Sequence, residues 1–174
     1  MKKVIYIIPG LGESCSLARY QYLKETLILK KFDVRCVDPD WYRPLSSQIF
    51  KINRRDIVCG FSFGAVLAYL VALKYPCKRV ILASISPLHK FSFESFERDF
   101  RRDIAPRVGK EKSIPLASIL ARDVKNITIS LEKLNVPYVT ISGKLERGMP
   151  AQIKVPKTGH RMTKAYANII ASVV

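Results

Sequence analysis

Apolar positions along this chain fall into two kinds of stretch: short unbroken runs and longer segments with helical spacing. Residues Val4–Ile8 form a continuous run rather than an alternating one, the pattern of a strand buried on both faces at the centre of a parallel sheet. Tyr20, Leu23 and Leu27 then recur at helical intervals through Lys30. Residues 33–37 predict a second strand, 45–50 a short helix and 56–59 a third strand. Val66, Leu67, Leu70 and Leu73 give the next helix its apolar stripe, and Lys74-Tyr75-Pro76 ends it. A fourth strand is predicted over 79–84. Strand and helix signals alternating at this spacing indicate βαβ units, which close right-handed onto a parallel sheet.

From 88 to 125 the strand rhythm stops. Phe93, Phe96 and Phe100 stand at helical intervals among charged residues, Ala105-Pro106 breaks that helix, and Pro115 can open another through Leu120. This insertion either acts as a small lid whose phenylalanines face an acyl-binding cleft or simply covers the sheet. Beyond it, Ile127, Ile129 and Leu131 alternate, whereas Val124, Ile127, Leu131 and Leu134 have helical spacing; the crossover needed before another parallel strand favours helix. Residues 138–142 and 152–155 supply the fifth and sixth strands, and 162–171 a closing helix with Met162, Ala165, Tyr166 and Ile169 inward. The expected fold class is α/β: a three-layer sandwich around a mostly parallel six-stranded sheet, with a helical insertion before the fifth strand. Residues 1–174 are expected to form a single domain.

Composition narrows the function classes. A chain of 174 residues with 48% hydrophobic content can bury a core of useful size, which excludes a disordered protein. No segment approaches the apolar length needed to span a bilayer. Thirty lysines and arginines against 14 acidic residues give a charge of +16, which attracts polyanions, anionic surfaces and acidic substrates at long range. The basic residues are dispersed over 2–3, 51–55, 98–102 and 154–164 rather than gathered into one arm or recognition helix. They read as a solvated surface with weak attraction to anionic surfaces and no specific nucleic-acid site. Cys15, Cys36, Cys59 and Cys77 contain no C-x-x-C pair and are expected to be reduced core thiols. Pro9-Gly10 ends the first apolar run too early for a signal peptide, so a cytoplasmic location is expected. Gly10-Leu11-Gly12 is an incomplete dinucleotide fingerprint, because Cys15 stands where its third glycine belongs and no Walker lysine follows.

The distinctive chemistry lies in Cys59-Gly60-Phe61-Ser62-Phe63-Gly64-Ala65, a G-x-S-x-G pentapeptide between a strand signal and a helix signal. In a nucleophile elbow the chain leaves a buried strand, turns sharply at the serine and enters a helix, so the flanking residues must be small. Gly60 and Gly64 supply that room. A serine hydroxyl is a poor nucleophile at neutral pH and needs a base within hydrogen-bond reach, with a third group orienting that base. Of the two histidines, His89 falls at the start of the insertion and His160 just past the last strand, which makes His160 the better base. Glu146 is the carboxylate of the loop after the fifth strand and the candidate orienting acid. The backbone N–H of Phe63 and that of Leu11 in the glycine loop are candidates for the oxyanion hole, with Glu13 opposing them unless it points to solvent. Gly10 and Trp41 are candidate substrate contacts, as is Asp38, since loops at the carboxyl ends of parallel strands line the ligand crevice. A capped turn with Trp41 packed on the surface is the other reading of that loop.

With these residues assembled, nearly the whole chain resembles the α/β-hydrolase fold superfamily, as a small, minimal, esterase-like member. The order Ser62, Glu146, His160 matches that superfamily's order of nucleophile, acid and histidine. The resemblance implies a serine hydrolase or acyl transferase with no cofactor and no metal, acting on a small-molecule acyl ester or thioester through an acyl-enzyme. The chain departs from the superfamily's common pattern in having Pro9-Gly10 in the oxyanion loop, Phe61 before the nucleophile and glutamate as the acid; leading antiparallel strands are not expected. Those departures leave subfamily and substrate open. The alternatives are a catalytically inactive scaffold of the same fold and a polyanion-binding protein.

Overall fold

The structure, a computed structural model, describes residues 3–85, 98, 118, 119, 123, 126–146 and 151–174. Apart from residues 98, 118, 119 and 123, which are helical, the 88–125 insertion with its phenylalanines and His89 lies outside the described residues.

The unbroken apolar runs become strands β1 (Val4–Ile8), β3 (Ile57–Phe61) and β4 (Arg79–Ala83) at the middle of the sheet. They are flanked by β2 (Asp33–Cys36) on one side and by β5 (Tyr138–Gly143) and β6 (Ile153–Val155) on the other. The six-stranded sheet has the order β2-β1-β3-β4-β5-β6, and every neighbouring pair is parallel. Central strands of such a sheet contact helices on both faces, so continuous hydrophobicity is what burial there demands. One core packs α2 (Phe63–Lys74) against residues such as Tyr6, Val58 and Leu82. The other packs α1 (Ala18–Leu29) and α3 (Lys164–Ser172) against Ile5, Ile57 and Ile81. The expected three layers are thus present.

Four local expectations need correction. Strand β3 runs on through Gly60-Phe61, past the expected end at residue 59, and α2 starts at Phe63, so Ser62 alone makes the turn. Helix α2 is buried on nearly its whole circumference, while Leu73, expected inside, is 41% exposed. Residues 127–130 are irregular and Leu131–Lys133 form a single 3-10 turn, not a helical crossover. Ile127, Ile129, Leu131 and Leu134 all pack on the α2 side of the core, so both patterns reach it, and the Tyr69 hydroxyl on α2 accepts the Ser130 N–H and meets the Ser130 carbonyl, both at 3.0 Å. In α3 the buried stripe is Tyr166, Ala167, Ile170 and Ala171; Ala165 is exposed and Ile169 only half-buried. The helix begins after Thr163, whose hydroxyl caps the Tyr166 N–H at 3.3 Å.

The chain from β1 turns back through α1 to β2, then crosses to β3 on the other side of β1. The carboxyl ends of β1 and β3 are therefore the point where the winding reverses, the usual place for a crevice in an open parallel sheet. The glycine loop after β1 and the serine turn after β3 both emerge there.

Candidate active site

Ser62 sits between strand and helix with φ 55° and ψ −122°, a conformation that L-residues rarely adopt. The turn can be this tight because the residues two positions away on either side, Gly60 and Gly64, have no side chains. A Cβ on Gly60 would lie 2.1 Å from the Gly64 carbonyl oxygen, and one on Gly64 would lie 2.2 Å from the Pro9 oxygen. The second of these contacts brings the start of α2 against the backbone of the glycine loop. Hydrogen bonding of the Ser62 N–H to the Ala83 carbonyl, at 2.8 Å, anchors the turn to β4.

His160 and Glu146 reach this point from two adjacent loops. Gly143 ends β5, and a Cβ there would come within 2.2 Å of the Thr158 oxygen, so the loops after β5 and β6 are in backbone contact. Leu145 N–H donates to the Thr158 carbonyl at 3.0 Å, binding the two loops together. The result is a hydrogen-bonded chain in which Ser62 Oγ is 2.8 Å from His160 Nε2 and His160 Nδ1 is 2.9 Å from Glu146 Oε2.

The second carboxylate oxygen, Glu146 Oε1, accepts hydrogen bonds from the Ser84 hydroxyl at 2.6 Å, the Tyr166 hydroxyl at 2.6 Å and the Gly143 N–H at 2.7 Å. Burial by itself would raise the Glu146 pKa; the bonds from His160, Ser84, Tyr166 and Gly143 outweigh it and hold the carboxyl down at about 2. A carboxylate ionised at neutral pH can only accept hydrogen bonds, so Nδ1 of a neutral His160 carries the proton and the lone pair on Nε2 faces the Ser62 hydroxyl. The imidazole also packs at a tilt on the Phe61 ring, with centroids 5.4 Å apart, and the far side of that contact is continued by Tyr166, edge-on to Phe61 at 5.6 Å. Burial and the bond to Glu146 push the Tyr166 hydroxyl pKa upward, so it stays protonated and able to donate.

Phe61, Ser84 and Tyr166 were not singled out from the sequence as site residues. Ser84 offered one signal, as a polar residue at the end of a buried strand; its φ of 47° and its complete burial are visible only in the fold. Tyr166 reads in sequence as one more inward residue of an amphipathic helix.

On the other side of Ser62, the glycine loop is braced from below. The Gly10 N–H donates to the Tyr20 hydroxyl at 3.0 Å, and that hydroxyl donates in turn to Glu13 Oε2. Glu13 does not point to solvent; its charge is instead paired with Arg19 at 2.6 Å. Leu11 is buried in the same core cluster as Phe63 and Trp41. Trp41 is 8% exposed and belongs to that core rather than to the surface. Asp38 is engaged by the chain itself, accepting from the Ser14 hydroxyl and the Cys15 N–H, each at 2.8 Å. Among the described residues, no group of three or more His, Cys, Asp or Glu side chains is arranged to hold a metal ion. Nor is any helix there long and apolar enough to cross a membrane.

No protein-family model and no curated protein matches the sequence. Solved structures do resemble it in three dimensions. Alpha/beta hydrolase domain-containing protein 10 from mouse superposes with a TM-score of 0.65 at 12% identity, over 98% of this chain and 87% of that one. MenH from S. aureus gives a TM-score of 0.63 at 13% identity, over 98% and 91%. The RedJ thioesterase of the prodiginine biosynthetic pathway in Streptomyces coelicolor gives 0.60 at 14% identity, over 98% and 86%. With its parallel sheet and flanking helices, the chain has the α/β-hydrolase fold.

Proposed function

We propose that this α/β-hydrolase-fold chain is a serine hydrolase that cleaves a small carboxylic ester or thioester by way of an acyl-enzyme. The observation that carries the reading is the hydrogen-bonded sequence from Ser62 Oγ through His160 to Glu146, with links of 2.8 and 2.9 Å. A hydroxyl, a basic nitrogen facing it and an ionised carboxylate behind the imidazole are the groups needed to make serine nucleophilic at neutral pH.

In the proposed reaction Ser62 Oγ bonds to the carbonyl carbon while its proton passes to His160 Nε2. The resulting imidazolium is stabilised by Glu146, whose charge is already held by its other hydrogen bonds. Negative charge developing on the carbonyl oxygen is assigned to the backbone N–H groups of Leu11 and Phe63; Phe63 opens α2, where the helix dipole is positive. Collapse expels the alcohol or thiol, which takes the proton from His160. Water then attacks the acyl-serine and gives a proton to His160; the bond between the acyl carbon and Ser62 Oγ breaks, His160 returns that proton to Ser62 Oγ, and the acid is released. The substrate's acyl part is assigned to the crevice beside Gly10 and Trp41.

A fluorophosphonate probe tests this directly. Wild-type protein is expected to be labelled at Ser62, with labelling lost in Ser62→Ala, and cleavage of p-nitrophenyl esters and acyl thioesters by the wild type should fall by about a thousandfold or more in that variant. Folded wild-type protein that takes up no probe and turns over none of these substrates would refute the reading.

A further inference from the structure

Two cysteines distant in sequence meet at the edge of the sheet. Cys36 ends β2 in register with Ile7 of β1, and residues paired in this way project to the same face. Ile7 faces the core that holds Cys15, Tyr20 and Leu23. Cys15 Sγ lies 3.7 Å from the Ile7 carbonyl oxygen, and that oxygen accepts the N–H of Val37, the residue after Cys36, at 2.9 Å. The Cys15 sulfur and the backbone of Cys36 are therefore held beside one peptide group, close enough for the two thiols to affect each other's ionisation. Asp38 clamps the assembly by accepting the Cys15 N–H at 2.8 Å. None of these groups takes part in the chain from Ser62 to Glu146.

The two thiols are unequal. Cys15 is buried, and its pKa is pushed far up by the neighbouring Cys36 thiol and by burial. Cys36 is exposed; the neighbouring Cys15 thiol, helped by the charge of Lys24, brings it down to about 7 against the effects of burial and of the Asp38 charge. Cys59 and Cys77 are buried and raised by that burial to about 12 and about 11. One exposed sulfur with appreciable thiolate next to a second, shielded sulfur is the arrangement in which one cysteine attacks an oxidant and the other resolves the product.

We propose that Cys15 and Cys36 form a redox-active dithiol whose oxidant is a hydroperoxide. The Cys36 thiolate attacks the terminal peroxide oxygen, the O–O bond breaks, and the alcohol leaves with a proton, giving Cys36 sulfenic acid. The Cys15 sulfur then bonds to the Cys36 sulfur, the S–O bond breaks, and the departing hydroxyl takes the Cys15 proton as water. The two thiols lose two electrons in all and the peroxide gains them; a small dithiol reverses the step. The new bond ties the loop after β1, which carries Gly10 and Leu11, to the edge strand β2. The dithiol chemistry does not depend on Ser62 being a nucleophile.

The experiment is treatment of the reduced, folded protein with a small excess of hydrogen peroxide, followed by thiol counting, intact mass and peptide mapping. The four cysteines should fall to two free thiols, with a mass lower by two hydrogens, a Cys15–Cys36 cross-linked peptide, and full recovery with dithiothreitol. Under the same conditions Cys15→Ser should accumulate a dimedone-trapped sulfenic acid at Cys36 without a disulfide, and Cys36→Ser should keep its three thiols. Four thiols surviving in the wild type, a disulfide between any other pair, or a Cys36-linked dimer overturns the proposal; the wild-type map decides it even where a variant fails to fold.

Discussion

Tyr166 offers a change of one oxygen atom. Its hydroxyl is one of three donors on Glu146 Oε1, so Tyr166→Phe leaves the carboxylate bound by Ser84 and Gly143 but less firmly held. A hydrogen bond to a charged group contributes on the order of 1.5–3 kcal/mol. Because the change acts on the orientation of His160 and not on substrate, we expect kcat to fall about tenfold or more with KM nearly unchanged. Stability carries a second signature. The Glu146 pKa is depressed from 4.5 to about 2 in the folded chain, so its stabilising effect is complete above the unfolded value and is lost as pH falls through the folded one. Removing a donor returns the carboxyl toward its ordinary value. The stability gap between wild type and Tyr166→Phe should therefore be widest near neutrality and shrink in acid, as urea melts at pH about 6 and about 3 can measure. A gap independent of pH would mean that Tyr166 acts through packing alone. At this scale the sequence was informative about residue type: Ser62, Glu146 and His160 were chosen because acyl transfer needs a hydroxyl, a base and an acid at those strand ends. It was silent on Ser84 and Tyr166, because nothing local distinguishes a hydroxyl that serves a carboxylate from one that serves its own backbone.

Among the elements, the strand-to-helix turn is the least tolerant of change. A methyl group on Gly64 would meet the backbone oxygens of Pro9 and Ile8 at 2.2 and 2.4 Å, and neither can move aside by a rotamer change. We expect Gly64→Ala to destabilise the protein by about 3 kcal/mol or more, or to prevent its folding. Gly12→Ala makes the comparison: its Cβ meets nothing within 4 Å, and only the positive φ of 66° opposes it, at a cost of roughly 1 kcal/mol. Thermal melts of the two variants would contradict this account if they were alike. The glycines announced the turn in the sequence because their spacing is local. Rotation and environment of the helices were less legible. Leu73 emerges into solvent and Ala165 faces outward because docking on neighbouring elements, not periodicity alone, chooses the buried face. In residues 127–134 two periods competed and neither made a regular element; irregular chain and one 3-10 turn bring both sets of apolar residues to the core, with the Tyr69 hydroxyl satisfying the Ser130 backbone.

For the molecule as a whole, the charge of +16 is the dominant long-range property. Dispersed over several stretches of the chain, it should give attraction without recognition. We expect retention on immobilised heparin and binding to duplex DNA that show no sequence preference and vanish by about 0.2 M salt, because such binding rests on counterion release. A complex that survived at that salt concentration, or that discriminated among sequences in a mobility-shift titration, would reveal a built nucleic-acid site and revive the polyanion-binding alternative.

Alternation of strand and helix, the central place of the apolar runs and the position of the serine turn were determined by the sequence alone, since each is a pattern written over a few neighbouring residues. The meeting of Ser62 with His160, 98 residues further on, was decided by the tertiary structure. So were the cradle around Glu146, the bracing of the glycine loop by Tyr20 and the approach of Cys15 to the end of β2. All of these depend on which strands lie side by side and in what register, and such long-range neighbours become fixed only when the sheet and its two covering layers close on their cores.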